Sequence, residues 1–511
     1  MLSSILSANR GEIALRVVRA CRELGVRSVA VYSDADSSAP HVREADSAIR
    51  IGPAPSSESY LVGDRIIEAA LASGAEGIHP GYGFLAERAW FAKAVVDAGL
   101  VWVGPPAAAI EGMGSKTAAR SLVTAAGVPV VPGTKEDLRD AREAAGIAGE
   151  FGYPVLLKAA AGGGGKGMRV VRDESAIADS LDAARREALA AFGDDAVYVE
   201  KYIEGPRHVE IQILADRFGN TLHLGERECS IQRRHQKMIE EAPSVAVDPA
   251  LRERMGETAV AAARAVGYEN AGTCEFLLDR EGNFYFLEMN TRIQVEHPVT
   301  ELVTGIDLVQ WQIRIASGEA LPFRQEDIQP RGWAIECRIT SEDPGNGFLP
   351  STGRVGYLHV PTGPGVRWDG GIAIGSEVGL HYDPMLAKLI VHGGTRDEAI
   401  QRMTRALHEL ALDGVETSRD FHLRVMEHPD YRSGDVSIQW LEQNLESITA
   451  AEPPADRVRL AAALAALLSD RDRSRAGTGT TSAGARESAP GAPAVENPAW
   501  RNAALLGSLR P

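Results

Sequence analysis

The sequence predicts an α/β protein. It should have an N-terminal doubly wound parallel-sheet domain, a central α+β domain with a mobile glycine flap, and a C-terminal mixed α/β cap. Three observations predict this. Through about the first hundred residues, short apolar runs alternate with helical ones, as in a parallel sheet covered by crossover helices. Four consecutive glycines at 162–165 lie between two apolar runs. Residues 272–300 read as an amphipathic hairpin that sets two acids against each other.

Residues 3–8 form the first strand, Asn9-Arg10-Gly11 turns it, and residues 12–24 read as a helix ended by Gly25. Strand 26–32 follows, then helical and apolar runs at 60–72, 77–79, 90–98 and 100–103. No G-x-G-x-x-G follows the first strand, which disfavours a dinucleotide-dependent dehydrogenase. In His79-Pro-Gly-Tyr-Gly-Phe-Leu the two glycines suit either close approach of a ligand to backbone or a plain tight turn, and both readings stand. Gly112-Met-Gly-Ser-Lys-Thr opens the next helix, where Lys116 is electrostatically odd unless an anion lies there. The segment is not a Walker motif, because Ser115 separates Gly114 from Lys116.

The glycine-rich segment reads as strand, loop, strand, with Gly167 where a P-loop requires Ser or Thr and a helix. It suits a flap over a nucleotide, with N–H groups at 162–165 for phosphate oxygens and Lys158 for charge. Strand 197–203 could offer backbone from Glu200 to Ile203 to a flat heterocycle. Residues 226–237 are dense in donors. A solvated charged loop is the usual meaning of such a run, but an anion pocket is preferred here.

A two-residue turn at Glu281-Gly282 pairs Arg280 with Asn283 and places Glu275 opposite Glu288, with Cβ atoms about 5 Å apart. Mg²⁺ would remove the repulsion between them. If the chain stays extended to Pro298, then Glu288, Asn290, Arg292, Gln294 and Glu296 share one face. Metal-binding oxygens, an anion-binding guanidinium and a terminal base would then stand in a row. Phe276, Leu278, Tyr285, Leu287 and Met289 should pack inward on the other face.

A chain of 511 residues can hold several domains, and its net charge of −16 argues against a nucleic-acid surface. Cys21, Cys229, Cys274 and Cys337 lack metal-type spacing and read as reduced thiols. Neither a membrane-length apolar run nor a signal peptide is expected, so the protein reads as cytoplasmic. In the C-terminal part a strand is expected at 353–360, another at 385–391 and an amphipathic helix at 396–412. A marginal helix at 457–468 precedes a Ser-, Gly-, Ala- and Pro-rich stretch at 469–498 that cannot fold alone, and residues 500–507 look like the start of another domain.

Ala8-Asn-Arg-Gly-Glu-Ile-Ala, the His79 motif, Gln232-Arg-Arg-His-Gln-Lys and Glu288-Met-Asn-Thr-Arg-Ile-Gln-Val-Glu-His-Pro-Val-Thr-Glu closely resemble biotin carboxylase, colinearly across about the first 447 residues. The resemblance implies an ATP-grasp fold and four parts: an N-terminal domain at 1–114, an ATP-grasp domain at 115–329 with its flap subdomain at about 131–204, a C-terminal domain at 330–447, and a tail at 448–511. It implies that Lys116, Lys158, Gly164, Gly165, Glu200, Lys201, Tyr202, Ile203, His208, Gln232, His235, Glu275 and Glu288 bind ATP. Glu275, Glu288 and Asn290 would hold Mg²⁺ or Mn²⁺. Lys237, Arg292, Gln294 and Val295 match a bicarbonate site, Glu296 the base, and Tyr82 and Arg338 the biotin site. The implied catalytic set is Lys237, Arg292, Glu296 and Arg338, acting through carboxyphosphate.

No Met-Lys-Met motif occurs, so biotin is expected on a carrier domain or protein outside this chain. A carboxyltransferase β subunit of an acyl-CoA carboxylase and a second copy of this chain are the other implied partners. The sequence departs from the family pattern at Arg88, at Ala161 and in the longer loop Gly345-Asn-Gly. The alternatives are another ATP-grasp ligase, for carbamoyl phosphate or amino acids, or a non-catalytic ATP-binding assembly subunit.

Overall fold

The computed structural model describes residues 1–450 apart from 115, 135–137, 139, 160–167 and 193, and beyond them only 463, 466 and 467. The glycine run 162–165, Ala161 and the expected features of 457–507 lie outside the described residues. Met1–Ala450 forms one compact unit.

The N-terminal sheet comprises β1 (Ser4–Ser7), β2 (Arg27–Ser33), β3 (Ser47–Gly52), β4 (Gly77–His79) and β5 (Val101–Trp102), all parallel, in the order β3-β2-β1-β4-β5. β1 is buried at every residue, as befits a central strand covered on both faces. Helix α1 (Gly11–Leu24) returns the chain and stops at Gly25, whose φ of 70° is the left-handed conformation that glycine adopts without strain. β3 is an addition to the expected pattern. It is an edge strand, and its half-polar run Ser-Ala-Ile-Arg-Ile-Gly carries little of the apolar signal that marks central strands.

A small antiparallel sheet follows, of β6 (Val155–Ala159), β7 (Met168–Val171) and β8 (Val197–Lys201), in the order β7-β6-β8. Ala144 and Ala148 of helix Ala141–Phe151, with Leu181 and Ala184 of helix Ile177–Phe192, close its core.

The largest sheet is antiparallel and eight-stranded. It takes β9 (Arg207–Ala215), β10 (Thr221–Arg233), β11 (Gln236–Ala242), β12 (Asn270–Leu278), β13 (Phe284–Asn290) and β14 (Trp333–Thr340) in the order β13-β12-β9-β10-β11-β14, and continues through strands Met385–Gly393 and Val366–Gly370. Helix Pro249–Ala265 packs Met255, Ala259 and Ala262 into the core that contains β9 and β12. Ile400, Met403 and Leu407 of helix Arg396–Glu409 share a core with Ile339, Leu389 and Val391 at the other end. The strand expected at 353–360 is instead two short ones, Gly353–Arg354 and Tyr357–His359, each with its own partner. The following helix ends at Glu409, because residues 411–413 leave it to pair with Tyr357–His359. Among the described residues no helix is long and apolar enough to cross a membrane.

Candidate active site

Two of the sequence motifs meet at the end of the N-terminal sheet. The Asn9 amide donates from Nδ2 to the carbonyls of Pro80 and Tyr82, 2.7 Å each, tying the turn after β1 to the loop after β4. Gly81 takes φ 64°, and a Cβ there would lie 2.9 Å from Asn9 Nδ2. This glycine therefore serves a crowded turn, and His79 beneath it is buried and bonded to Gln312.

Glu275 and Glu288 are partners across β12 and β13, as counted from the sequence, but the route differs. Residues 279–283 lie between the paired Leu278 and Phe284, so the connection is longer than two residues. A bulge between Phe276 and Glu275 then absorbs Leu287 and restores the acid pair. The bulge reverses the phase of the first half of β13. Phe284 and Phe286 point inward, while Leu287 is exposed and Tyr285 half-buried, contrary to expectation. Phe276, Leu278 and Met289 do pack inward.

The chain leaves the strand after Asn290 and turns into helix His297–Thr304, so it is not extended to Pro298. Asn290, Arg292, Gln294 and Glu296 nevertheless converge. Glu275 Oε1 accepts from Asn290 Nδ2 at 2.9 Å, Gln294 Nε2 at 2.7 Å and Lys237 Nζ at 2.9 Å, and His208 Nε2 is 3.0 Å from Oε2. Arg292 donates to Asn290 Oδ1 at 2.9 Å and to Glu87 Oε2 at 2.9 Å, which aims its guanidinium from the N-terminal domain.

Residues 226–237 form β10, a turn at Arg234 and His235 with positive φ, and the start of β11, not a loop. Glu226, Arg227 and Glu228 are buried, each with a partner, while Arg234 is exposed at the turn. Arg227, fully buried, donates to Glu210, Gln212, Thr273, Gln294 and Thr300, which satisfies every N–H of its fork. Lys237 donates to Glu210, Glu275 and, at 2.6 Å, Glu296. Burial works against its charge, but three carboxylates outweigh burial and raise its pKa well above the lysine range. Burial would likewise raise the Glu275 pKa, yet Lys237 and His208 hold it well below normal.

The pairing of β11 with β14 brings Arg338 to the same place. Its guanidinium bonds Glu240 Oε1 through Nε at 2.6 Å and Glu296 Oε2 through Nη2 at 2.9 Å. Against burial, Lys237, Arg338 and Arg227 keep Glu296 ionised. The Val295 carbonyl accepts from buried Lys388 at 2.9 Å. Lys388 also lies 3.2 Å from Glu12 Oε2, and the other Glu12 oxygen accepts from the Tyr82 hydroxyl. A cavity of about 130 Å³ beside Tyr82 is lined by Arg10, Glu12, Phe84, Asp383 and Met385.

A second group lies on the small sheet. The Glu200 carboxylate accepts from Lys158 Nζ at 2.5 Å and from Arg120. The Lys201 and Tyr202 N–H groups donate to the carbonyls of Pro132 and Pro154, at 2.8 and 3.2 Å. Gln232 is buried and bonded to the Cys229 carbonyl, while His235 is exposed at the turn. Lys116 begins helix Lys116–Ala125, but its side chain lies outside the described set, as do Gly164 and Gly165. Glu275 and Glu288 are ladder partners and Asn290 is bonded to Glu275, and the carboxylate and amide oxygens these residues carry would suit a hard divalent cation such as Mg²⁺.

Three family models match the chain: biotin carboxylase, N-terminal domain, at 1–110; carbamoyl-phosphate synthase L chain, ATP binding domain, at 115–324; and biotin carboxylase C-terminal domain, at 336–443. The chain is 53% identical over 443 residues to biotin carboxylase 1 of Bacillus subtilis, covering 86% of this chain and 98% of that one. The chain belongs to the biotin carboxylase family. It is also 49% identical to the mitochondrial methylcrotonoyl-CoA carboxylase subunit alpha of Rattus norvegicus, covering 87% of this chain and 62% of that one. A solved structure of the biotin carboxylase domain dimer of Hydrogenobacter thermophilus 2-oxoglutarate carboxylase, in complex with MgADP, ADP and bicarbonate, aligns with a TM-score of 0.81 at 48% identity over 88% of this chain and 100% of that one.

This biotin carboxylase therefore has the ATP-grasp architecture expected, between an N-terminal parallel sheet and a C-terminal α/β part. Glu87, Glu210, Glu240 and Lys388 of the network were not singled out from the sequence, whereas Arg227 fell within the donor-dense run 226–237. Glu210 was within reach of periodicity, because His208, Glu210 and Gln212 alternate with Val209, Ile211 and Ile213 along β9.

Proposed function

We propose that this ATP-dependent ligase carboxylates biotin with the residues assembled around Glu296. The chain of contacts Lys237–Glu296–Arg338 carries the reading, since it joins the implied bicarbonate site to the implied biotin site through one carboxylate. Bicarbonate, held by Lys237, Arg292, Gln294 and the Val295 backbone, loses its proton to Glu296 and attacks the γ-phosphate of ATP. Carboxyphosphate and ADP result. Glu275, Glu288 and Asn290 would hold a magnesium or manganese ion, whose charge would offset that of the phosphates.

Lys116, Lys158, Gly164, Gly165, the 200–203 backbone, His208, Gln232 and His235 make up the ATP site. Lys201 and Tyr202 spend their N–H groups on the Pro132 and Pro154 carbonyls, and among the described residues the Ile203 N–H has no backbone bond outside the strands. Carboxyphosphate breaks into CO₂ and phosphate in the closed site, the phosphate takes the biotin N1 proton, and N1 attacks CO₂ while Arg338 stabilises the negative ureido oxygen beside Tyr82.

We assign the parts as 1–114, 115–329, 330–447 and 448–511. Biotin would arrive on a carrier domain or protein, a carboxyltransferase β subunit would take the product, and a cytoplasmic homodimer would be the working form. Relatives of near-equal identity are named for different acceptors, methylcrotonoyl-CoA and 2-oxoglutarate, so identity does not choose the acceptor here.

The test is ATP hydrolysis that depends on bicarbonate and is stimulated by free biotin. Stimulation by ammonia or an amino acid in place of biotin would overturn the proposal.

A further inference from the structure

Glu240 on β11 and Glu336 on β14 are direct partners in the antiparallel ladder, so their side chains leave one face of the sheet with Cβ atoms about 5 Å apart. Both are fully buried. Helix His297–Thr304 closes that face, its Val299 and Val303 packing with Ala242, Ala334 and Ile390. Of the pair's four carboxyl oxygens, Glu240 Oε1 receives Arg338, while Glu240 Oε2 and both oxygens of Glu336 have no hydrogen-bond partner among the described residues.

Two buried anions placed directly opposite would repel, and a buried carboxylate without a donor is costly. A proton held between the two carboxyls answers both problems, since one oxygen then donates and its neighbour accepts.

The other groups around the pair do not remove the need for that proton. Lys388, two residues along the neighbouring strand, already serves Glu12 and the Val295 carbonyl. Arg338 is divided between Glu240 and Glu296, and Lys237 among Glu210, Glu275 and Glu296. Glu296 adds negative charge. Burial holds His297, at the start of the covering helix, in its neutral form and keeps the Cys337 thiol protonated.

We propose, building on the assignment of Arg338 to the biotin ureido group, that Glu336 is a neutral carboxylic acid sharing its proton with Glu240, and that this proton makes the pair a positioning device for Arg338. With the proton present, Glu240 holds the guanidinium weakly enough for it to turn to the ureido oxygen. With the proton lost, two carboxylates hold it inward. Burial pushes Glu240 up to about 7 and Glu336 well above the usual carboxylate range, which places the loss on the alkaline side of neutrality.

The experiment is the pH dependence of biotin-stimulated ADP release, with free biotin, in the native protein, Glu336→Gln and Arg338→Lys, from about pH 6 to about pH 9. The native kcat/KM for biotin should fall up to about tenfold per pH unit on the alkaline limb. Glu336→Gln, which has no proton to lose, should flatten that limb and leave the KM for ATP within about threefold of native. An unchanged alkaline limb in Glu336→Gln overturns the proposal.

Infrared difference spectra of the native protein between the same pH limits provide a readout independent of the variants. They should show a protonated carboxyl band at the lower pH that disappears at the higher, and absence of that band also overturns the proposal. If Arg338→Lys keeps the native KM for biotin, the assignment of Arg338 fails, whatever the infrared spectrum gives.

Discussion

The Glu296 carboxylate lies 2.6 Å from the Lys237 ammonium through one oxygen and 2.9 Å from the Arg338 guanidinium through the other. A base so clamped is a poor proton acceptor until its two cations are drawn to other partners. Bicarbonate is the anion that would draw Lys237, and the ureido carbonyl of biotin is the acceptor that would draw Arg338. On the proposed assignment, Glu296 would gain basicity when the site is filled. Glu296→Gln should lower biotin-dependent turnover by about two to four orders of magnitude while ATP affinity stays within about threefold. ADP release and nucleotide-binding titrations check this, and a variant as active as native would remove Glu296 from the proton step.

Arg227 offers a contrast between buried and exposed charge. Arg227→Met strands Glu210 with Lys237 as its remaining cation and frees Gln212, Thr273 and Gln294, so it should destabilise the protein by about 3–5 kcal/mol. Lys93→Met, which breaks the exposed Lys93–Asp97 pair, should leave the unfolding midpoint where it was. Equal shifts in urea unfolding would refute the account.

The metal assignment predicts a specific defect. Glu288→Gln removes one charge from the acid pair, and the Mg²⁺ concentration that half-saturates ATP hydrolysis should rise about tenfold or more. Magnesium titration at fixed ATP measures this, and an unchanged requirement moves the ion elsewhere.

His422 is fully buried beneath Arg338, with Nε2 2.7 Å from the Arg338 carbonyl. Burial lowers its pKa from 6.5 to about 4. The unfolded chain therefore takes up a proton near pH 6.5 that the folded protein refuses until about pH 4, so this residue's contribution is present above 6.5 and lost as pH falls through that window. His422→Gln escapes the penalty. The native advantage over the variant should shrink by about 3 kcal/mol between those limits, and paired denaturation curves at several pH values would detect it.

The pairing of Glu275 with Glu288 was legible in the sequence, although two departures from simple counting cancel to produce it. The connection is longer than two residues, and the bulge at Leu287 compensates. No Gly or Pro marks that bulge, so the reversal that buries Phe286 and exposes Leu287 left no local sign. The parallel sheet was readable from its buried runs, whereas edge strand β3 was hidden by its polar residues. Convergence of Arg338, Glu240 and Glu296 was beyond any periodicity, because it depends on β11 meeting β14 from roughly a hundred positions away. The motifs indicated which residues matter, and the long-range ladder shows which of them touch.

That ladder bears on how the chain can be dissected. Because β11 and β14 hydrogen-bond to each other, a cut near residue 330 would divide a single hydrophobic layer and leave two raw strand edges. Recombinant halves made at that position would be prone to stick to each other or to themselves. A soluble minimal version is therefore better sought by trimming after Ala450, where the compact unit ends.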